Sequence, residues 1–311
     1  MENIRVYIII VTYNAMKWVD RCLGSLRESE IPCVPVVVDN LSKDNTVSYI
    51  REHYPEVHLI VNIENRGFGQ ANNQGIEWAY SQGATHFFLL NQDAWVKPDT
   101  IWNLVEVQEK NNLAVVSPIH LNGLGDKMDS PFFAYVVMKQ KNISFVSDLV
   151  TRNLKQYYEI PFVNAAAWML SKRCIEKIGG FDPIFFIYAE DTNYILRLKY
   201  HHEILAVVPS AFIHHDRGLH GNDQVYNKRA VVSRLLTTYT NINEPRFHPC
   251  WKRVKLHLWH FKNAMFALLK MHFAEFKNII NGYGLYFCAI PKVKRSRERN
   301  MQIGHNWLKI K

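Results

Sequence analysis

Residues 87–96 read FFLLNQDAWV: Phe87 to Leu90 run apolar into Asn91, Gln92 and Asp93, and the chain then turns apolar again. A short unbroken apolar run bounded by polar residues predicts a strand buried on both faces, as in a parallel sheet. An acid at the carboxyl end of such a strand stands where open α/β sheets place their ligands. Asp also caps turns and helices well, so this stretch alone leaves both readings of Asp93 open.

The neighbouring segments set the context. Upstream, VYIIIVTYN, PVVVDN and VHLIVN read as strands, with THFFLLNQD as the fourth. Between them KWVDRCLGSLRES, residues 46–53 and GQANNQGIEWAYSQG have helical spacing, the last ending on Gly83 as a C-cap. Downstream, KPDTIWNLVEVQEKN is a helix with Pro98 near its start, and AVVSPI is a fifth strand. Strands alternating with helices predict an α/β fold with a doubly wound, mostly parallel sheet. Residues 120–160 are less regular, and PFFAYVVMKQKNISFVSDLV reads as one or two strands in a hairpin. Beyond them SKRCIEKIGGFD is a helix stopped by Gly179 and Gly180, DTNYILRLKYHH is a helix opening on acids, and EILAVVPSAFIHHD holds one or two strands.

The chain has 311 residues and is 48% hydrophobic, enough for one large domain or two smaller ones. Its five cysteines form no CxxC pair, which predicts reduced thiols, a cytoplasmic setting and no zinc site. The apolar run in MENIRVYIIIVTYN is too short for a membrane span and reads as a first strand. Charge is uneven. From Tyr226 onward there are 17 Lys and Arg against 3 Asp and Glu, a net of +14; with the whole chain at +9, the residues before them net −5. The reading divides the chain into a body, 1–225, and a basic helical extension, 226–311. In the extension Val254, Leu258, Phe261, Met265, Leu268, Phe273, Phe276 and Ile280 recur at near-helical steps, with lysines largely between them. This basic amphipathic pattern fits two roles: contact with an anionic membrane surface, or a helix docked on the body with a solvated basic face. It holds no recognisable nucleic-acid module.

Four sites follow strand-like runs: Asp39, Asp93, Glu190 with Asp191, and His214 with His215. Together they predict a single cleft at the carboxyl edge of one sheet. Asp39 fits either a base or ribose contact or a turn cap. Asp93 offers hard oxygen to a divalent cation, and a nearby imidazole favours Mn²⁺ over Mg²⁺. Adjacent Glu190 and Asp191 beside an apolar run can have their pKa values pushed apart, which suits one to general-base work; the bland reading is the acidic first turn of a helix. The loop ENRGFGQANNQG, with Asn65, Gly67, Phe68, Asn72 and Asn73, can turn backbone N–H groups to an anion or a sugar hydroxyl. It lacks both GxGxxG and Walker spacing.

Six stretches, VTYN (11–14), VVVDNLSKDNT (36–46), NRGFGQANNQG (65–75), LLNQDAWVKP (89–98), GGFDPIFFIYAEDTNYILRLK (179–199) and VPSAFIHHD (208–216), resemble the inverting family 2 glycosyltransferases. The bacterial rhamnosyltransferase-like branch is the nearest in look, over residues 4–220. The resemblance implies a GT-A fold, a Rossmann-like mixed sheet, and transfer of a sugar from a nucleotide diphosphate-sugar donor with inversion. It implies that Thr12, Tyr13 and Asn14 line the nucleotide pocket, that Asp39 reads the base, and that Asn40, Asn91 and Gln92 join them with the 65–73 loop residues. The family's Asp-x-Asp metal motif has Asn91 in its first place here, leaving Asp93 to hold Mn²⁺ or Mg²⁺. Asp191, with Glu190 beside it, matches the general base. One of His214 and His215 approaches the metal or diphosphate, and His215 fits better. A lipid-linked or oligosaccharide acceptor, polysaccharide assembly and a peripheral place on the inner face of the cell membrane follow by the same resemblance. Oligomeric state stays open, as do two other functions, a sugar nucleotidyltransferase and a nucleotide-sugar-binding protein without turnover.

Overall fold

The computed structural model describes residues 4–138, 143–217, 228–245 and 251–310. Four parallel strands form the first half of the sheet: β1 (Val6–Thr12), β2 (Cys33–Asp39), β3 (His58–Val61) and β4 (His86–Leu90). Helices α1 (Val19–Arg27), α2 (Thr46–His53) and α3 (Gly67–Ser81) connect them. There follow β5 (Ala94–Val96), α4 (Thr100–Lys110), β6 (Val115–Asn122), a short α5 (Ser130–Phe133), a π-helical turn (Ala134–Met138) and α6 (Ile143–Thr151). The body closes with β7 (Tyr158–Glu159), β8 (Ala167–Ser171), α7 (Lys172–Ile178), α8 (Glu190–Tyr200) and β9 (Leu205–His215). Three helices end the chain: α9 (Lys228–Thr240), α10 (Trp251–Leu269) and α11 (Phe273–Asn300).

The sheet runs β3-β2-β1-β4-β8-β6-β9-β5, with β7 also paired to β9. Strand β8 lies antiparallel to both β4 and β6, and β5 antiparallel to β9, so the sheet is mixed, with parallel pairing through its longer strands. Successive side chains of the central strands point to opposite faces and feed two cores. Ile9, Phe87, Leu89, Trp168 and Leu170 pack on one side, and Ile8, Ile10, Phe88, Leu90 and Met169 on the other. Helix α3 sits close on the first face, because a Cβ at Gly75 would come within 2.5 Å of Ile9 Cγ2.

One expectation changes and one narrows. Residues 130–138 and 143–151 are helical where strands were expected; residues 139–142 lie outside the described residues. The Asp129 side chain caps α5 by accepting from Phe132 N at 3.3 Å, Pro131 sits in the first turn, and buried Phe132 and Val136 recur at helical spacing. The segment EILAVVPSAFIHHD forms one strand, β9, whose register against β6 shifts between Val208 and Phe212. That irregularity spans Pro209, which cannot donate to a ladder.

A third core joins Phe185, in the loop before α8, to Leu235 and Leu236 of α9, Ala264 of α10 and Ile279 and Tyr286 of α11. The chain then returns to the body, where Leu308 packs in the first core. Asp182 ties α11 down: its Oδ2 accepts from Ser296 Oγ and from Asn300 Nδ2, the latter at 2.9 Å, and its Oδ1 accepts from Ile184 N at 3.0 Å. No helix among the described residues is long and apolar enough to cross a membrane.

Asp182→Ala leaves the buried Ser296 and Asn300 donors without their acceptor. It should lower unfolding stability by about 3 kcal/mol. A urea midpoint equal to the native one would show that the network contributes nothing.

Candidate active site

A cleft of about 780 Å³ opens beyond the carboxyl ends of β1, β2 and β4. Neutral polar groups shape its walls. Gln92 clamps the backbone of Tyr13, accepting from its N at 2.7 Å and donating to its O at 3.3 Å. Asn14 adopts a left-handed φ of +53°, accepts from Lys43 N at 2.8 Å and donates its own N–H to Ser42 Oγ at 2.8 Å, which joins the loops after β1 and β2. Asn40 donates to Asn65 Oδ1 at 3.0 Å and to Gly67 O at 3.2 Å, and accepts from Arg66 N at 2.9 Å. Gly67 has φ +76°, and a Cβ there would fall 1.9 Å from Phe186 O. Only glycine lets the two backbones pass so closely. Phe68 N then donates to Phe186 O at 3.2 Å.

Tyr13, Asn14, Asn40, Asn65, Gly67, Phe68, Asn91, Gln92 and Asp93 all line the cleft. Thr12, Asp39, Asn72 and Asn73 lie inside the protein instead. Thr12 donates to Asp39 Oδ1 at 2.9 Å, and Asp39 Oδ2 accepts from Ser42 N at 2.9 Å, so this pair braces the loop after β2. Asn72 donates to Phe68 O at 3.0 Å. Asn73 pairs with the Phe181 backbone through both ends of its amide, at 2.8 and 2.7 Å.

Asp93 follows β4 and precedes β5. Pairing of β5 with β9 sets Ala94 opposite His215 and Trp95 opposite His214. His215 Nε2 thereby comes to 3.3 Å from Asp93 Oδ1. His214 points to the other face of the strand and stacks on Trp95, ring centroids 5.4 Å apart, away from Asp93. Behind His215 lie His120 of β6 and Asp129, both buried, with one ligand atom from each of the three within 4.8 Å of the others. Arg217 grips Asp129 with Nε at 2.9 Å and a second nitrogen at 3.1 Å. Burial first, then His215 and Arg217, hold the His120 pKa well below 6.5, so its imidazole is neutral. The Nδ1 atoms of His120 and His215 are buried without a hydrogen-bond partner. Carboxylate oxygen beside imidazole nitrogen is a donor set that fits a divalent transition ion.

The second carboxylate site opens α8. Tyr188 and Ala189, in left-handed conformations at φ +69° and +72°, turn the chain into the helix. Glu190 is buried with Oε2 unpartnered, and burial, then the neighbouring Asp191, push its pKa up to about 8. Half-buried Asp191 is raised too, chiefly by burial, while Oδ1 accepts from Thr192 N at 2.6 Å. Phe186 and Ile187, just before these acids, line the cleft that Asp93 also lines.

Sequence reasoning missed His120, Asp129, Arg217, Trp18 and Arg229. Trp18 lines the cleft and donates Nε1 to Asp216 Oδ2 at 3.0 Å. Arg229 of α9 lines it as well, 5.5 Å over the Phe186 ring. His120 stands within a buried strand, where nothing local marks it.

The Glu190 shift carries a sign. Unfolded, Glu190 ionises near its ordinary 4.5; folded, near 8, so the folded state holds an extra proton between them. Stability falls as pH rises through that window and is flat above it. Glu190→Gln removes the buried charge, so the variant should gain on the order of a few kcal/mol over the native protein at pH 9 and little at pH 4. Melting temperatures of both proteins at the two values check this; an equal difference at both would refute the shift.

A model of the Glycosyl transferase family 2 matches residues 7–179. The chain is 24% identical over 217 residues to the dTDP-rhamnosyl transferase RfbF of Shigella flexneri, covering 70% of each. It is 24% identical over 286 residues to the N-acetylglucosaminyl-diphospho-decaprenol L-rhamnosyltransferase of Mycobacterium tuberculosis, covering 83% of this chain and 89% of that one. Of the hexosyltransferase Agl10 of Haloferax volcanii the match spans 52%. Among solved structures, the mannosyltransferase PcManGT from Pyrobaculum calidifontis, in complex with GDP-Man and Mn²⁺, superposes with a TM-score of 0.55 at 19% identity, covering 92% of this chain and 75% of that one. That likeness is one of fold, the GT-A arrangement of a mixed sheet flanked by helices. The family model spans more than half of the sequence, and the chain belongs to glycosyl transferase family 2: it is a glycosyltransferase.

Proposed function

We propose that this enzyme moves a sugar from a nucleotide diphosphate-sugar to an acceptor hydroxyl with inversion, assisted by Mn²⁺ or Mg²⁺. The observation that carries the reading is the 3.3 Å approach of His215 Nε2 to Asp93 Oδ1 beside the cleft. Asp93 and His215 hold the cation. When bound, it offsets the charge that develops on the leaving diphosphate. The neutral walls around Tyr13, Asn14, Asn40 and Asn65 hold the nucleotide, and Gln92 and Asn91 border its phosphates. Asp191 takes the acceptor's proton as its oxygen attacks the anomeric carbon from the face opposite the phosphate. Its raised pKa makes it a better base than a solvated aspartate. Glu190, protonated at neutral pH, leaves the single charge on Asp191. The printed names of the two rhamnosyltransferases and the GDP-Man and Mn²⁺ in PcManGT support the donor class and the metal.

The same reading places the enzyme in cell-surface glycan assembly, with a lipid-linked acceptor and a peripheral position at an anionic membrane. Val254, Leu258, Phe261 and Met265 of α10 are exposed, at 42, 60, 66 and 40%. Exposed apolar residues among lysines suit a surface-lying helix. Residues 1–225 then carry the reacting groups, α9 adds Arg229 to the cleft wall, and the exposed face of α10 rests on the membrane.

Asp191→Asn should lower transfer by about 10²–10⁴-fold while donor affinity holds. Turnover near the native rate, followed by nucleoside diphosphate release, would move the base to another residue. Asp93→Ala should lose the metal-dependent part of donor affinity, to the level of native enzyme in EDTA. Donor titrations that ignore both the substitution and the chelator would remove the metal from the reading.

A further inference from the structure

A second concavity, about 510 Å³, lies between α11, residues 182–184 and the chain segment 307–309. Lys292, Arg295 and Arg299 of α11 line it together with Lys309. None of these four cations is in an ion pair with a described carboxylate. The acid in the wall, Asp182, has both oxygens engaged by Ser296, Asn300 and Ile184 N. Arg299 lies 4.7 Å over the Trp307 ring, and Trp307 Nε1 donates to Asn300 Oδ1 at 2.7 Å. The guanidinium is therefore positioned by stacking, with its N–H donors not spent on a carboxylate.

Like charges gathered on one concave wall repel, and the concavity focuses their field toward an anion. A group of two negative charges with several acceptor oxygens answers four cations better than a lone carboxylate does, and Arg forks match phosphate geometry. We propose that this concavity is a binding site for a phosphate-bearing group, separate from the donor cleft. Two sources share that chemistry. One is a phospholipid headgroup, reached because α11 exposes Phe287 and Ile290 just before Lys292. The other is a soluble phosphate or diphosphate. Either would clamp α11 to the 182–184 loop that leads into α8 and its two acids.

Inorganic pyrophosphate is titrated calorimetrically into the full chain in EDTA, which withholds the cation from the donor cleft. Arg295→Gln with Lys309→Gln changes exposed side chains only and should leave the melting temperature as it is. It should weaken pyrophosphate binding at least tenfold. Lys262→Gln with Lys270→Gln removes the same charge elsewhere and should change it little. The source is separated with phosphatidylcholine vesicles containing phosphatidic acid. If the lipid is the occupant, pyrophosphate displaces part of the vesicle binding of the native protein, and the Arg295/Lys309 variant lacks that displaceable part while keeping the contact made by α10. If the occupant is soluble, only pyrophosphate binding falls. Pyrophosphate binding that is absent, unchanged in the Arg295/Lys309 variant, or equally weakened in the Lys262/Lys270 variant overturns the site. None of these results touches the transfer reaction assigned to Asp93 and Asp191.

Discussion

The antiparallel pairing of β5 with β9 is the constraint on which the site depends. A strand alternates its side chains, so consecutive histidines point to opposite faces. The register Ala94 against His215 gives Asp93 one imidazole and leaves the other stacked on Trp95. A slip of one residue would exchange them. Two features hold the register: β9 is zipped along β6, and Asp216 N donates to Asp93 O at 2.8 Å. Buried His120 and Asp129 support His215 from behind, and half-buried Arg217 meets the Asp129 charge.

Charge is used sparingly in the cleft. Among its described lining residues Asp93 is the acid and Arg229 the base; the rest are amides, aromatics and aliphatic or backbone groups. Amides make shape here. Asn40 and Gln92 each satisfy backbone groups of a neighbouring loop, which fixes those loops without adding a field that would compete with the one at Asp93. The close crossing of Gly67 and Phe186 then links the donor side of the cleft to the loop that enters α8.

The C-terminal helices complete that loop. Phe185 is buried among α9, α10 and α11, and Asp182 is held by Ser296 and Asn300. Left-handed backbone at Tyr188 and Ala189 costs energy that side-chain contacts must offset. The extension supplies those contacts on one face and exposes an apolar, lysine-bearing face on α10.

The sequence by itself determined the order of elements in the first half, the two-sided burial of the central strands, and the short list of acids and histidines. These are local signals: an apolar run, a helical period, an acid at the end of a run. Asp93, Asn91, Gln92 and the 65–68 loop were legible because each adjoins such a run. The insertion of β8 antiparallel between β4 and β6 was not, since a strand buried on both faces looks alike in either direction. The helices of 130–151 were hidden because Phe- and Val-rich runs suit strands equally well, although Asp129 and Pro131 marked a helix start. Tertiary structure alone decided which histidine meets Asp93, which asparagines line the cleft and which brace it, and that His120 and Asp129 stand behind the site. Those outcomes depend on register and on close approach of distant backbone, and both are set by packing between segments that carry no mark of each other in the chain.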